Sequence, residues 1–214
     1  MSSTSSNESK PTLTDQLRVW TKSIIDPIVS LLARLHVSPD LLTILGMLLH
    51  ILYAWLIASG YMTIAGIAIL VFVPLDALDG ALARKLGRTA GNFGAFLDST
   101  SDRLAEIILF VGYIYYFGTR DDLWMTAAAY AALTGSLMVS YTRSRAEALG
   151  FSLKVGFLTR VERYVVIVVT LIIDRPEWGL VILAIGTYFT FGQRVYHVWR
   201  QSKRIAAGED PGLE

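Results

Sequence analysis

Six apolar stretches constrain this chain more than anything else in it, at residues 40–59, 61–83, 95–117, 124–147, 160–174 and 177–199. Read as helices, most are long enough to cross a hydrocarbon core of about 30 Å. Lipid leaves no backbone amide unpaired, so a spanning segment is a helix or a strand of a closed barrel, and the ten-residue alternation of barrel strands is absent. Composition agrees: 53% of the residues are apolar, 17% are charged and the mean hydropathy is +0.49. An ordinary soluble domain carries about 25% charge. The expected fold is therefore an all-α integral membrane protein whose six transmembrane helices form one domain over residues 38–200.

Lysine and arginine set the orientation. With both termini on the cytoplasmic side, only Arg120 and Arg175 fall in the opposite loops, and the other 17 of 19 basic residues lie on or near the terminal side. That asymmetry predicts a multi-pass protein of the cytoplasmic membrane. Trp55, Trp124, Trp178, Tyr61, Tyr115 and Tyr116 gather at the outer ends as an aromatic belt. The net charge of +1 is accounted for by this topology and gives no reason to expect nucleic acid. Cysteine is absent, which excludes disulfides and thiolate metal sites. Residues 1–12 and 201–214 read as disordered tails, and the polar start MSSTSSNESK lacks the apolar core of a signal peptide.

Ahead of the first span, residues 13–37 are amphipathic. Leu17, Trp20, Ile24, Ile28, Leu31 and Leu35 recur at steps of three and four, while Arg18, Lys22 and Arg34 avoid that stripe. The pattern predicts a juxtamembrane helix lying in the interface, broken or kinked at Pro27. Ser38-Pro39-Asp40 then reads as a helix start.

The chemistry-bearing feature is acidic. Asp76 and Asp79 stand three apart near the end of the second stretch, and Asp98 and Asp102 stand four apart at the start of the third. Spacings of three and four put each pair on one helix face. The two helices are antiparallel neighbours, so four carboxylates can meet at one depth, where a single unpaired one would cost about 2.5–3.5 kcal/mol. Carboxylates that converge repel unless cations lie between them, and an all-oxygen set suits magnesium, manganese or calcium. Two such ions about 3.5–4 Å apart suit a phosphoryl displacement. Gly80, Ala83 and Gly94 keep the same faces small, and Arg84 lies one turn beyond Gly80. Acids that merely snorkel to water beside Arg84, Lys85, Arg88 and Arg103 would explain one aspartate better than four.

The string Asp76-x-x-Asp79-Gly80-x-x-Ala83-Arg84, nine residues, Gly94-x-x-x-Asp98-x-x-x-Asp102 resembles the signature of the CDP-alcohol phosphatidyltransferases at all eight specified positions. The resemblance implies a six-span membrane enzyme, usually a homodimer, in which an alcohol attacks the β-phosphate of a CDP-linked lipid such as CDP-diacylglycerol and CMP leaves. It implies that Asp76, Asp79 and Asp98 bind two Mg2+ or Mn2+ ions, with Asp102 as ligand and general base. It assigns the nucleotide to Asp40, Leu41, Leu42 and Thr43 with Gly80, Ala83 and Arg84. Some members have eight residues where this chain has nine, so the remaining nucleotide contact falls on Thr89, Ala90 or Gly91.

A second basic set bears on the acceptor. Arg143 ends the fourth stretch, Arg163 begins the fifth and Arg194 lies in the inner half of the sixth. A guanidinium at such depth needs a partner or a ligand, and its fork fits phosphate. These three predict an acceptor-phosphate site, whereas Arg160, Arg200, Lys203 and Arg204 read as positive-inside decoration. The pattern of Arg143 before Arg145-Ala146-Glu147, then Glu162-Arg163, then Gln193-Arg194 is similar to the branch of the family that takes inositol phosphate. A glycerol phosphate acceptor would also want arginines. Glu147 and Glu162 are expected to hold neighbouring arginines. Glu106 either backs the metal site or pairs with Arg103, and His50 and His197 read as hydrogen-bonded helix residues. A cation transporter is the rival class, but its acids would lie at the midplane between repeats, and no repeat is visible.

Overall fold

The computed structural model describes residues 25–87, 92–153 and 155–208, and the side chains of all of these except 73–77 and 92. Among the described residues every regular element is helical. Helix α1 covers residues 25–34 and is followed by α2 (Pro39–Ala58), α3 (Met62–Lys85), α4 (Asn92–Gly118), α5 (Leu123–Ala148), α6 (Arg160–Ile172) and α7 (Pro176–Ala206). The six long helices reproduce the six apolar stretches.

Local chemistry places their ends. Ser38 is the N-cap of α2, with Pro39 in the first turn and Asp40 beside it. Asp122 caps α5 by accepting from the Met125 amide at 3.0 Å. Gly60 (φ 85°) lets the chain turn out of α2, since that left-handed backbone costs glycine nothing. The α7 helix passes the expected boundary at residue 200 and ends at Ala206, two residues before Gly208, whose φ is 76°. Nothing earlier in that segment stops it. Residues 1–12 and 209–214 of the expected tails lie outside the described residues, as does the first half of the amphipathic segment.

The six helices pack in a closed ring, in the order α2, α4, α5, α7, α6, α3 and back to α2. Within it α2 runs parallel to α4 and α5 parallel to α7. Close approach is allowed by missing side chains: a Cβ on Gly112 would lie 2.6 Å from the Ala54 carbonyl oxygen, and one on Gly66 2.9 Å from Leu171 and Ile172. The core joins Tyr53, Ile57, Ile69, Leu109, Phe110, Leu133, Ile167, Leu171 and Leu183. Helix α1 lies outside this ring and packs Val29 on Leu78 and Leu82 of α3, with Lys85 donating to Ser30 at 2.5 Å. Its helical turns run through Pro27, and the turn that a proline disrupts, residues 23 and 24, lies outside the described residues.

Two helices, α2 and α5, are long and apolar enough by themselves to cross a membrane. At 20 residues α2 is about 30 Å long. The 13 residues of α6 make only about 20 Å. The other long helices are diluted by polar residues at one end, and that end is where α2, α4 and α6 start and α3, α5 and α7 finish.

Candidate active site at the polar end of the ring

The first turns of α2 and α4 and the last turns of α3 meet at this end. Asp79 is buried and accepts a hydrogen bond from Thr43 Oγ1 at 2.6 Å, which ties α3 to the first turn of α2. The Gly80 amide lies 2.5 Å from Asp79 Oδ1. Gly94 faces Asp40: a Cβ there would be 3.8 Å from Asp40 Oδ1. Arg84 folds back over Gly80, its Nη1 3.4 Å from where a Cβ would be. Leu42 packs against the α1–α3 cluster, while Leu41 is exposed. Thr89 and the side chain of Asp76 lie outside the described residues.

A polar cavity of about 490 Å³ opens between α4, α5, α6 and α7. Asp98 and Asp102 line it from α4, and Arg143, Arg163 and Arg194 from α5, α6 and α7. Thus two of the four aspartates and all three arginines singled out in the sequence share one space. Among the described residues no three carboxylate or imidazole groups close around one point.

Two expectations for individual charges are overturned. Arg160 is not decoration: it is ion-paired with Asp102 and lies over the Tyr164 ring, 5.7 Å from its centroid. Nor does Glu106 pair with Arg103. Its carboxylate accepts from Arg163 Nε at 3.0 Å and Nη2 at 3.3 Å, both residues almost fully buried. Arg103 instead donates to the Ser99 carbonyl and, at 3.0 Å, to Ser144 Oγ. A step of three leaves residues 103 and 106 on one face of α4, about 60° apart, and it is their partners that separate them: Arg103 is turned to Ser144 of α5 and Glu106 is taken by Arg163 of α6. As expected, Glu147 holds Arg143 at 2.8 Å, whereas Glu162 accepts from Thr159.

The three arginines are therefore not equivalent. Most of the Arg163 fork is taken up by Glu106, the Leu158 carbonyl and Ser140. Arg194 donates to two backbone carbonyls, Val155 at 3.1 Å and Val139. It is 3% exposed and forms no ion pair among the described residues, and it feels the like charges of Arg143 and Arg163 against the opposite charge of Glu147. A buried guanidinium directed by carbonyls and without an ion-pair partner among the described residues is suited to an anion.

On the other side of Arg160 lies an apolar groove of about 410 Å³ between α2, α3 and α6, walled by Leu49, Tyr53, Ile69, Val165 and Val168. His50 lines it beside Tyr164, contacting the Gly46 carbonyl through Nδ1 at 2.9 Å and Tyr164 Oη through Nε2 at 2.9 Å. Because a carbonyl only accepts, Nδ1 carries the proton and Nε2 accepts from Tyr164 in the neutral ring. His50 is thus a hydrogen-bonded helix residue, as its sequence context suggested. Arg160 and Val161 border both spaces.

Residues 36–192, which include the aspartates and arginines described above for this site except Arg194, match the family model of the CDP-alcohol phosphatidyltransferases. The chain belongs to the CDP-alcohol phosphatidyltransferase family. The transferase is similar to the archaetidylinositol phosphate synthase of Pyrococcus horikoshii, 37% identical over 194 residues that cover 90% of this chain and 98% of that protein. It is also similar to the phosphatidylinositol phosphate synthase of Cutibacterium acnes, 36% identical over 191 residues, 85% of this chain and 91% of that one. The crystal structure of the Mycobacterium tuberculosis phosphatidylinositol phosphate synthase with CDP-DAG bound superposes with a TM-score of 0.76 at 32% identity, covering 83% of this chain and 94% of that one. The same mycobacterial enzyme in complex with manganese and citrate also gives 0.76, at 31% identity over 82% and 88%.

Proposed function

We propose that this transferase moves the phosphatidyl group of CDP-diacylglycerol to inositol phosphate, yielding phosphatidylinositol phosphate and CMP. The observation that carries the acceptor half is the single cavity shared by Asp98, Asp102 and the carbonyl-directed Arg194. In that space the alcohol oxygen bonds to the β-phosphorus, the bond from that phosphorus to the CMP oxygen breaks, and Asp102 takes the hydroxyl proton. Arg194 and Arg143 hold the acceptor's phosphate. The Cutibacterium acnes relative is named a phosphatidylinositol phosphate synthase, and the mycobacterial neighbour has CDP-DAG bound.

The donor half rests on Asp40, Leu41, Leu42, Thr43, Gly80, Ala83, Arg84 and Thr89 for the nucleotide, with the apolar groove beyond Arg160 for the lipid tails. For metal, the proposed set is Asp76, Asp79, Asp98 and Asp102, an all-oxygen donor set that suits Mg2+ or Mn2+. Asp79 fits this role because Thr43 fixes one of its oxygens. Two divalent ions, when bound, would neutralise the pyrophosphate and the departing CMP. Manganese in the mycobacterial relative favours the same reading. We further propose six spans, a cytoplasmic-facing site in the cell membrane and a homodimer.

Purified protein given CDP-diacylglycerol and Mg2+ or Mn2+ should release CMP with inositol phosphate, and far more slowly with inositol, glycerol phosphate or serine. Equal rates with phosphorylated and unphosphorylated inositol would remove the acceptor assignment while leaving the family chemistry intact.

A further inference from the structure

The segment 149–159 joins α5 to α6 with no helix or strand among its described residues, yet side chains of α7 fasten it at four points. Gln201 Nε2 donates to the Ser152 carbonyl at 2.6 Å and Arg194 Nε to that of Val155 at 3.1 Å. The Phe157 amide donates to Gln193 Oε1 at 3.3 Å and the Leu158 amide to Thr190 Oγ1 at 3.0 Å. As strap numbers rise from 152 to 158, α7 numbers fall from 201 to 190, so the strap runs antiparallel down the inner part of α7. Leu153 and Leu158 are buried beneath it.

The tightest point is Gly156. Its φ of 150° is one that side chains rarely allow, and a Cβ there would lie 2.9 Å from Thr190 Cγ2 and 3.3 Å from both Nε and Nη2 of Arg194. Backbone therefore lies directly against the Arg194 guanidinium. The next link is Leu158, whose amide is held by Thr190 and whose carbonyl accepts from Arg163 Nη1 at 3.3 Å. One short segment thus fixes both buried arginines of the polar cavity relative to each other, and it ends at Thr159 and Arg160, which also line that cavity.

We propose that this strap is the positioning device for the acceptor side of the site, with Gly156, Thr190 and Gln193 as positioning residues that fix Arg194 against Arg163 and so hold Arg194 ready for a phosphate. The proposal rests on the acceptor reading above. It adds that acceptor affinity is set by residues that need not touch the acceptor, and that the donor side is independent of them. None of the four fastening bonds reaches α2, α3 or α4, which carry the aspartates and the proposed nucleotide contacts.

The test is a comparison of full-length enzyme and variants in detergent, with four readouts: KM for inositol phosphate, KM for CDP-diacylglycerol, Mn2+-dependent thermal stabilisation, and Tm without ligand. Gly156→Ala should raise the acceptor KM about tenfold or more, while the donor KM and the Mn2+ stabilisation stay within about twofold. Adding Thr190→Ser removes the methyl that the new Cβ meets but keeps the hydroxyl, and should recover part of the acceptor affinity. If Gly156→Ala does not accumulate, Thr190→Val, which deletes the acceptor for the Leu158 amide at equal size, should show the same selective loss. Donor and acceptor KM rising together, or a lower Tm with acceptor KM unchanged, would overturn the inference. Wild-type enzyme that ignores inositol phosphate would instead overturn the acceptor reading, and the variants would then be scored on whichever phosphorylated alcohol it uses.

Discussion

At the scale of single residues, Arg160 and Asp102 offer the sharpest test. Their side chains are 37% and 18% exposed, so solvent screens the pair and its contribution to folding is small. With Asp102 as the proposed base, its expected contribution to turnover is larger, because Arg160 engages one carboxylate oxygen of Asp102. Arg160→Ala should lower kcat about ten- to hundredfold, the size of one charge-assisted hydrogen bond of about 1.5–3 kcal/mol, with Tm nearly unchanged. Arg160→Lys should recover part of it, measured by CMP release at saturating substrates. The Glu106–Arg163 pair is the opposite case. Glu106→Gln leaves a buried guanidinium short of its counter-charge and should destabilise the protein by about 3–5 kcal/mol, seen as a lower Tm, and Glu106→Leu with Arg163→Met should restore much of it. Sequence spacing brought out Asp98, Asp102, Arg143, Arg163 and Arg194 because depth in an apolar stretch marks a costly charge. It misread Arg160 because that residue sits at a helix start, where a basic residue needs no special reason. The i, i+3 step from Arg160 to Arg163, which puts both toward α4, was the available signal.

At the scale of elements, the crossing of α2 and α4 carries Asp40, Thr43, Asp98 and Asp102 toward its inner end and Gly112 near its outer end. Gly112→Val would force the helices apart, since even a Cβ would meet the Ala54 backbone at 2.6–2.8 Å. It should cost about 1–3 kcal/mol by thermal unfolding and lower turnover through the displaced Thr43–Asp79 contact. The helices themselves were legible to within a few residues, because apolar runs bounded by Gly60, Asp122 and Pro176 leave little choice. Partnerships between them were not. The fastening of 149–159 to α7 depends on backbone carbonyls that no residue pattern announces, and the end of α7 was misplaced because a helix leaving the membrane has no apolar stripe to trace.

At the scale of the whole molecule, the proposed topology puts turns 59–61, 119–122 and 173–175 on one side of the membrane and segments 86–91 and 149–159 on the other. The chain contains no cysteine. Single cysteines at Thr119 and Ser152 should therefore react with an impermeant maleimide from opposite faces, Thr119 in intact cells and Ser152 only after lysis. Labelling of both from one face would rule out the arrangement. The closed ring also has a consequence in time. Glu106 lies 57 positions ahead of Arg163 in the chain. At roughly 5–20 residues per second, synthesis delivers the acid to the membrane roughly 3 to 11 seconds before its partner. For that interval the nascent protein holds an unmatched carboxyl group among its helices, and it becomes a finished bundle only when the last hairpin slots between its neighbours. A ribosome stalled between α5 and α6 should thus leave a product that quality-control proteases recognise, although every span made so far is intact.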